Sequence, residues 1–266
     1  MSHTPQGLGW LGRIRMGLAL AVFLACAGLW LLMPHGRARR AFARGTWRIL
    51  LAGFGVWVDV RGKPLPEAGT LYVSNHISWM DIPVLGLVLD AGFVAKGEIA
   101  GWPILGKLTQ AYGCLFVERE RRGQAGHQAA ALASHLEADR GIVLFPEGTT
   151  GLGTSVLPFR SSLFAMVPGI GVEPCAVRVQ PVVIRYRRHD GSSLSPQEQR
   201  QVAWIDDDAL LPNALGLAGL GSLTAEVWFE EPVCATERKA LARACEAVVV
   251  ARITGEGQAA TLNFVA

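Results

Sequence analysis

The stretch TLYVSNHISWMD, residues 70–81, decides the fold and places the candidate chemistry. Residues 70–74 form a short apolar run that is typical of a buried strand. Residues 81–83 are typical of a helix start, because proline is tolerated in the first turn of a helix. His76 and Asp81 therefore follow the end of a strand. Imidazole can take a proton from a hydroxyl near neutral pH, and a carboxylate bonded to its other nitrogen fixes the tautomer, so this pair predicts a base and its orienting acid.

The histidine and the aspartate have no obvious protein nucleophile beside them. Ser78 lies in the same stretch, but we expect it to cap the helix that follows, since serine is favoured at that position. The hydroxyl that His76 activates would then belong to a substrate. Alone, a histidine near an aspartate is more often a structural hydrogen-bonded pair, so the interpretation depends on the rest of the chain.

A second polar segment follows another apolar strand, at residues 142–145, and reads Pro146-Glu147-Gly148-Thr149. Strands that alternate with helices predict an α/β domain with a mixed, largely parallel sheet flanked by helices. Such sheets bind ligands at the carboxyl ends of their strands, so we expect the two polar segments to meet at one edge. Glu147 would then lie in a cleft, and Gly148 would let the backbone approach a ligand closely. Further strands are predicted at residues 177–186, 202–205 and 224–229, with a last helix over 236–252.

The chain before this domain is first apolar and then basic. We expect residues 16–33 to form an apolar helix near the lower length limit for spanning a bilayer, retained because no convincing cleavage site of a signal peptide follows. Residues 37–57 predict a basic amphipathic helix lying in the membrane interface, and the alternative is a surface helix packed on the domain core. Its two faces would carry Arg37, Arg40, Arg44 and Arg48 on one side and Phe42, Ile49, Leu50 and Trp57 on the other. The predicted organisation is a membrane anchor over 1–57, an α/β domain over 58–254 and a tail over 255–266.

Composition and spacing exclude several classes of function. Half of the 266 residues are hydrophobic, 18% are charged and the net charge is +3. We expect no nucleic-acid partner, because there is no basic domain with interleaved aromatic residues. We expect no metal and no cofactor, because the cysteines form no C-x-x-C pair and the remaining histidines lack ligand spacing. Asp206-Asp207-Asp208 predicts a solvated helix start rather than a metal site.

Together these segments resemble the glycerolipid acyltransferases, typified by 1-acylglycerol-3-phosphate acyltransferase. Residues 75–81, with Asn75, His76, Ser78 and Asp81, are similar to the first motif of that family, and residues 145–149 to the third. The second motif is matched by residues 96–98, 102–106 and 113–119, and the fourth by residues 180–184. A chance match to four fixed letters is expected on the order of once per thousand chains, so four motifs in order are a specific match.

The resemblance implies an enzyme that moves a fatty acyl group to a lysolipid hydroxyl. His76 would be the general base, with Asp81 orienting it. The acyl donor would be acyl-CoA or acyl-carrier protein, whose activated thioester needs no acyl-enzyme. The family binds its acceptor through the third motif and the arginine that ends the second, which here are Glu147, Gly148, Thr149 and Arg119. In bacterial members this chemistry belongs to the inner membrane, and we expect the active site on its cytoplasmic face among membrane lipids.

One position departs from the family pattern. Many lysophosphatidate acyltransferases have an arginine directly after Glu-Gly-Thr, and this chain has Thr150. Arg160 is the residue expected to compensate, because its planar guanidinium suits a phosphate. The same Glu-Gly-Thr-Thr and Pro-Phe-Arg-Ser-Ser pattern resembles bacterial members that acylate lyso-ornithine lipid, which has no phosphate. The favoured acceptor from sequence is 1-acylglycerol-3-phosphate, which would give phosphatidate. The alternatives are lyso-ornithine lipid as acceptor, a hydrolase, and a non-catalytic membrane lipid-binding protein.

Overall fold

The computed structural model describes residues 10–34, 36–66, 68–101, 105–117, 130–134, 136, 140–167, 177–205 and 208–255. Within these ranges the chain forms a seven-stranded mixed sheet with helices packed on it. The strands are β1 (Val56–Arg61), β2 (Thr70–Ser74), β3 (Ala91–Lys96), β4 (Leu115–Val117), β5 (Gly141–Leu144), β6 (Arg178–Arg188) and β7 (Leu223–Phe229). The helices are α1 (Trp10–Leu32), α2 (Arg37–Phe54), α3 (Asp81–Val88), α4 (Leu105–Tyr112), α5 (Pro196–Val202), α6 (Leu210–Gly219) and α7 (Arg238–Thr254). The predicted α/β fold class is confirmed.

The order of strands brings the two polar segments together. Across the sheet the order is β1-β7-β6-β2-β5-β3-β4. β2 lies between β5 and β6 and is parallel to both, whereas β7 runs antiparallel to β6 and parallel to β1. Because β2 and β5 are parallel neighbours, residues 75–81 and 145–149 leave the sheet at the same edge.

Both faces of the sheet are covered, as expected for buried parallel strands. Every residue of β2 is buried. Tyr72 packs on the side of α2 and α3, whereas Leu71 and Val73 pack on the side of α7. This alternation follows from the two-residue period of a strand, and it holds the end of β2 rigidly in the middle of the domain.

The N-terminal helices differ from their predicted bounds. α1 begins at Trp10, six residues before the predicted start, and ends at Leu32. α2 ends at Phe54 because Gly55 takes a left-handed conformation, with φ of 71°, that caps the helix. Trp57 lies in β1, so its predicted place on the amphipathic helix is wrong. Within the described part of the chain, one helix, over Ile14–Leu32, is long and apolar enough to cross a membrane.

α1 and α2 form an antiparallel hairpin that is docked on the α/β domain. At one end the Arg15 side chain donates to the Gly53 carbonyl over 3.2 Å, and at the other the Arg39 guanidinium lies 4.1 Å from the centre of the Trp30 ring. The four arginines of the predicted basic face are exposed. The apolar side of α2 contributes Leu50, Leu51 and Phe54 to the same core as α3 and the sheet. This apolar side of α2 therefore fits the second interpretation of residues 37–57, a surface helix packed on the domain core.

Three further predictions fail near the C-terminal half of the domain. Residues 203–205 form no strand, because they follow α5 and pack over the polar edge of the sheet. The last helix begins at Arg238, two residues after the predicted N-cap. Of the three aspartates predicted at a helix start, Asp206 and Asp207 lie outside the described residues. Asp208 is not the N-cap of α6, which is Ala209, and it pairs with Arg200 over 2.8 Å.

Candidate active site

The predicted base and acid meet directly after β2. His76 Nδ1 lies 2.8 Å from Asp81 Oδ2, and Asp81 is the fully buried first residue of α3. The imidazole also stacks on the Phe145 ring, with 4.0 Å between ring centres. The His76 side chain keeps 17% of its surface exposed. Because Nδ1 is held by the carboxylate, Nε2 is the atom that can take a proton from a bound hydroxyl.

Asp81 accepts four hydrogen bonds in all. Its Oδ2 accepts from the backbone N–H groups of Ile77 and Ser78 at 2.7 and 3.0 Å, besides the imidazole. Its Oδ1 accepts from the Tyr186 hydroxyl at 2.7 Å. Burial raises the pKa of Tyr186 well above its ordinary value, so the phenol remains a donor. These donors fix the carboxylate and stabilise its negative charge.

Tyr186 is a residue of the site that the sequence pattern did not indicate. It lies on β6, two residues beyond the fourth motif, and faces the same side of the sheet as Ile184. The alternation of β6 could have placed it in the core. Its bond to Asp81 requires knowing that β6 and β2 are neighbours, and sequence does not supply this pairing.

Asn75 has a structural role beside the pair. Its side-chain amide donates to the Ile184 carbonyl over 3.0 Å and accepts from the Ile184 N–H over 2.9 Å. The amide thereby replaces the backbone ladder at the point where the chain leaves β2. This allows His76 to turn out of the sheet without leaving β6 unpaired at that residue.

The predicted cap role of Ser78 is wrong. The N-cap of α3 is Met80, and it makes no side-chain cap bond. Ser78 is fully buried, and its hydroxyl has no hydrogen-bond partner within the described chain. Asp81 instead receives the N–H groups at this turn, so the residue that orients the imidazole also closes the loop before the helix.

Glu147 links the two polar segments through the backbone. Its Oε1 accepts from the His76 N–H over 3.1 Å, and its Oε2 accepts from the Leu157 N–H over 3.4 Å. The residue is 3% exposed, and this burial raises the pKa of the carboxyl to about 8. Both oxygens thus hold the loops of the site in place. Its predicted contact with the acceptor stays a prediction.

The other predicted acceptor residues lie together beyond β5. Gly148 has φ of 75°, which favours glycine, and a Cβ there would lie 3.1 Å from Arg160 Cδ and Nε. Arg160 N–H donates to the Pro146 carbonyl over 2.9 Å, which holds the arginine over this turn. Thr149 and Arg160 are both exposed. Arg119, the remaining predicted acceptor residue, lies outside the described residues.

Thr150, where the family pattern has arginine, turns inward. Its hydroxyl donates to the Trp204 carbonyl, and the Trp204 N–H donates to the Ile77 carbonyl over 3.0 Å. The next residue, Gly151, donates its N–H to the His76 carbonyl over 2.8 Å. Residues 203–205, which were predicted to form a strand, therefore connect the first and third motifs through the hydrogen bonds of Trp204.

A separate cleft lies at the opposite edge of the sheet. Asp90 and Arg140 stand directly before β3 and β5, at the amino ends of these strands, and they line this cleft with residues of α2 such as Arg40. It is therefore not the site that contains His76. In the described ranges, no group of three or more histidine, cysteine or acidic side chains could hold a metal. The expectation of a metal-free, cofactor-free site stays a prediction.

The fold is an α/β domain with a histidine and a buried aspartate paired after the central strand β2, at the carboxyl edge of the sheet. A family model described as "Acyltransferase" matches residues 58–185. The lyso-ornithine lipid O-acyltransferase of Brucella abortus is 38% identical over 250 residues, which cover 89% of this chain and 92% of that protein. The corresponding protein of Rhodobacter capsulatus is 36% identical over 264 residues, covering 92% and 91%. The chain belongs to the acyltransferase family, and it is an enzyme of lipid metabolism in the glycerolipid acyltransferase superfamily, as its four motifs predict.

Two more distant relatives are acyltransferases named for a phosphate-containing acceptor. The 1-acyl-sn-glycerol-3-phosphate acyltransferase of Neisseria gonorrhoeae is 34% identical over 149 residues, covering 55% of this chain and 57% of that protein. The crystal structure of the 1-acyl-sn-glycerophosphate acyltransferase PlsC from Thermotoga maritima matches with a TM-score of 0.60 and 20% identity. It covers 96% of this chain and 100% of that one, and it shows that the fold is shared.

Proposed function

We propose that this enzyme transfers a fatty acyl group from an acyl thioester to the hydroxyl of lyso-ornithine lipid. The observation that carries the proposal is the 2.8 Å contact between His76 Nδ1 and the buried Asp81 carboxylate, beside an exposed acceptor loop. The donor is acyl-CoA or acyl-carrier protein. Such a donor already has a good leaving group, so a base for the acceptor hydroxyl is the group the reaction needs from the protein.

The proposed reaction has two proton transfers on His76. Nε2 removes the proton from the acceptor hydroxyl as its oxygen attacks the thioester carbonyl carbon. Asp81 stabilises the imidazolium that forms, and its four donors keep it in place. When the tetrahedral intermediate collapses, the carbon–sulfur bond breaks and the imidazolium gives its proton to the leaving thiolate. The products are the new ester and the free thiol.

Thr150 favours an acceptor lipid without a phosphate group. A phosphate monoester is best bound by arginine side chains, which donate to it in pairs. Thr150 occupies the position of such an arginine, and its hydroxyl donates to the Trp204 carbonyl. The relatives that cover about nine tenths of this chain are named for lyso-ornithine lipid, which supports the same acceptor. This reverses the order of the two acceptors that sequence analysis favoured.

Arg160 fits an ornithine headgroup as well. That headgroup carries one carboxylate and one ammonium, and a single guanidinium beside Gly148 is enough to pair with the carboxylate. The same guanidinium is the observation that keeps 1-acylglycerol-3-phosphate as the second candidate. Because its acceptor is a lipid, the proposed enzyme acts at a membrane. Because acyl-CoA and acyl-carrier protein are dissolved in the cytoplasm, its site would lie on the cytoplasmic face of the inner membrane.

Purified full-length protein in detergent tests the proposal directly. It is given a radiolabelled palmitoyl thioester with either lyso-ornithine lipid or 1-acylglycerol-3-phosphate. We expect acylation of lyso-ornithine lipid to be faster, and His76→Ala to reduce it by about 10³-fold, because a positioned general base is worth roughly 10²–10⁴-fold. Transfer to neither acceptor, or undiminished transfer by His76→Ala, would contradict the proposed function. Faster transfer to 1-acylglycerol-3-phosphate would establish the second candidate.

A variant of the acceptor loop tests the role of Arg160. Arg160→Ala is expected to raise KM for lyso-ornithine lipid about tenfold, since a charge-assisted hydrogen bond contributes roughly 1.5–3 kcal/mol, while kcat changes little. Arg160→Lys keeps the charge without the paired donors and should lie between the two. Arg178, an exposed arginine at the start of β6, gives the matched control Arg178→Ala. An unchanged KM in Arg160→Ala would exclude this contact.

A further inference from the structure

We infer that α6 is a second membrane-contacting helix, which inserts Leu210, Leu211 and Leu215 into the leaflet that α1 contacts. It would hold the His76 edge of the sheet at the bilayer surface. The inference rests on exposure, on the position of α6 in the fold and on its hydrogen bonds to the active-site stretch. It goes beyond the proposed reaction because it concerns how the enzyme meets its lipid substrate.

The composition of α6 is unusual for a surface helix. Its ten residues, LLPNALGLAG, include no ionisable side chain. Leu210, Leu211 and Leu215 are 50%, 66% and 41% exposed, whereas Leu217 and Ala218 on the other side are buried. A helix face that carries several large apolar side chains is normally buried in protein or faces lipid. Since these leucines are not covered by protein in the described structure, lipid is the environment that fits them.

The position of α6 continues the apolar surface of α1. α6 contacts both α1 and α2. The junction of the three helices is tight, because a Cβ on Gly55 would lie 1.9 Å from the Gly221 carbonyl oxygen and 3.0 Å from the Arg15 guanidinium. α1 itself exposes a row of large apolar side chains, namely Ile14, Leu18, Leu20, Val22, Leu24, Leu29, Leu31 and Leu32. Exposed apolar side chains on two adjacent helices mark an interaction surface, and the lack of ionisable residues on α6 favours a bilayer over a protein partner with a polar rim.

The same helix lies at the catalytic edge of the sheet. β7 follows α6 and runs antiparallel to β6, so its start at Leu223 lies at the edge where β2 ends. Asn213 of α6 accepts from the Trp79 indole N–H over 2.9 Å and donates to the Ala203 carbonyl over 2.7 Å. Trp79 belongs to the stretch between His76 and Asp81. The Asn213–Trp79 hydrogen bond therefore links α6, the helix that would contact lipid, to the loop that contains His76.

Lipid photocrosslinking tests the contact without using catalysis. Leu211 is replaced by p-benzoylphenylalanine in the full chain, which is reconstituted in vesicles of phosphatidylethanolamine and phosphatidylglycerol with a labelled phospholipid. Val60, 43% exposed on β1, is the matched control, and Leu24 on α1 reports successful reconstitution. We expect labelled lipid on residues 211 and 24 and none on residue 60. Absence of lipid at 211 while 24 is labelled, or a crosslink from 211 to a second copy of the chain, would overturn the inference.

A charged variant tests the consequence for lipid substrates. Leu211→Glu combined with Leu215→Glu should lower acyl transfer to a long-chain lysolipid in vesicles by at least about tenfold, since a carboxylate does not enter the apolar leaflet that a leucine enters. Transfer to a short-chain, water-soluble acceptor should stay at the wild-type rate, which also shows that the variant folds. Val60→Glu should change neither rate. Equal rates in vesicles, or equal losses with both acceptors, would overturn the inference. A failure of the proposed reaction would instead remove transfer from the wild type and leave the crosslinks unchanged.

Discussion

Two buried carboxylates bond to His76, Asp81 to its imidazole and Glu147 to its backbone N–H, and the protein holds them in opposite ways. Asp81 has no exposed surface and accepts four hydrogen bonds, one of them from the imidazole. Glu147 is almost as buried but accepts only two backbone N–H groups, at 3.1 and 3.4 Å. The donor-rich pocket stabilises a negative charge. The donor-poor pocket raises the pKa of Glu147 to about 8, because burial outweighs its two bonds.

The difference separates a chemical role from a scaffolding role. A charge next to the imidazole is useful at the moment when the imidazole becomes protonated. A carboxyl that bonds only to backbone N–H groups can do its work in either protonation state, because its oxygens accept in both. We therefore expect kcat to depend on the charge at residue 81 and mainly stability to depend on the carboxyl at residue 147.

The largest effect is expected for Asp81→Asn, which removes the charge and keeps the shape. kcat should fall by about 10³-fold with little change in KM, because the imidazolium loses its counter-charge or the imidazole takes the wrong tautomer. Steady-state kinetics in detergent measure both constants, and a circular-dichroism melt checks the fold. A fall in kcat of less than tenfold in a folded variant would mean that the negative charge in the Asp81 pocket is not needed for the reaction.

An intermediate effect is expected for Tyr186→Phe. The ring stays, but Asp81 Oδ1 loses its 2.7 Å donor while the other three donors remain. A hydrogen bond to a charged group contributes roughly 1.5–3 kcal/mol, so we expect kcat to fall about tenfold at constant KM. Tyr112→Phe serves as the control, because it removes the hydroxyl of a half-buried tyrosine that accepts from the Trp47 indole N–H, away from the dyad. Equal effects of the two variants on kcat would remove Tyr186 from the support of Asp81.

The smallest effect is expected for Glu147→Gln, and it depends on pH. The pKa of Glu147 is raised from 4.5 to about 8 in the folded protein, so the folded state binds more protons between these values. Wild-type stability should therefore be fully present below the lower value and decline as pH rises through about 8. Glutamine does not titrate, so between about pH 5 and pH 9 the Tm of the wild type should fall by at least about 3 °C more than that of the variant.

A neighbouring glutamate provides the control for this pH experiment. Glu246 accepts a backbone N–H from Phe159 over 2.8 Å, in the same loop that bonds to Glu147. The charge of Glu246 is the smallest of the contributions that raise the Glu147 pKa, so Glu246→Gln should keep most of the wild-type dependence of Tm on pH. If Glu147→Gln shows the wild-type dependence instead, then Glu147 is not the group that titrates in this range.

The parts of the site that sequence could predict are local in the chain. His76 and Asp81 are five residues apart on one strand-to-helix connection, and a regular turn brings them together. The meeting of residues 75–81 with 145–149 also follows, because strands between helices predict a parallel sheet with a common carboxyl edge. Gly55 marks the limit of this reasoning. The basic residues end at Arg48 and the apolar residues continue to Trp57, so the left-handed cap at Gly55 is what shows where the helix ends.

The parts that sequence could not predict depend on pairing between distant segments. Tyr186 contacts Asp81 because β6 lies beside β2, and residues 203–205 clamp the site because Trp204 bonds to Ile77 and Thr150. Hydrophobic alternation predicts that a segment is extended, but it does not say whether the segment joins a sheet edge or covers one. Arg119 lies outside the described residues, so its predicted contact with the acceptor stays a prediction.

The docking of α2 has a practical consequence for anyone who wishes to work with a soluble form of this enzyme. Leu50, Leu51 and Phe54 are core residues, and Gly86 of α3 has no room for a side chain, since a Cβ there would lie 2.6 Å from the Trp47 indole nitrogen. Cutting the chain at residue 57 would therefore uncover the face of α3 that packs against Trp47. The second helix of the hairpin is part of the hydrophobic core of the catalytic domain, so a shortened chain without it would expose that core to water.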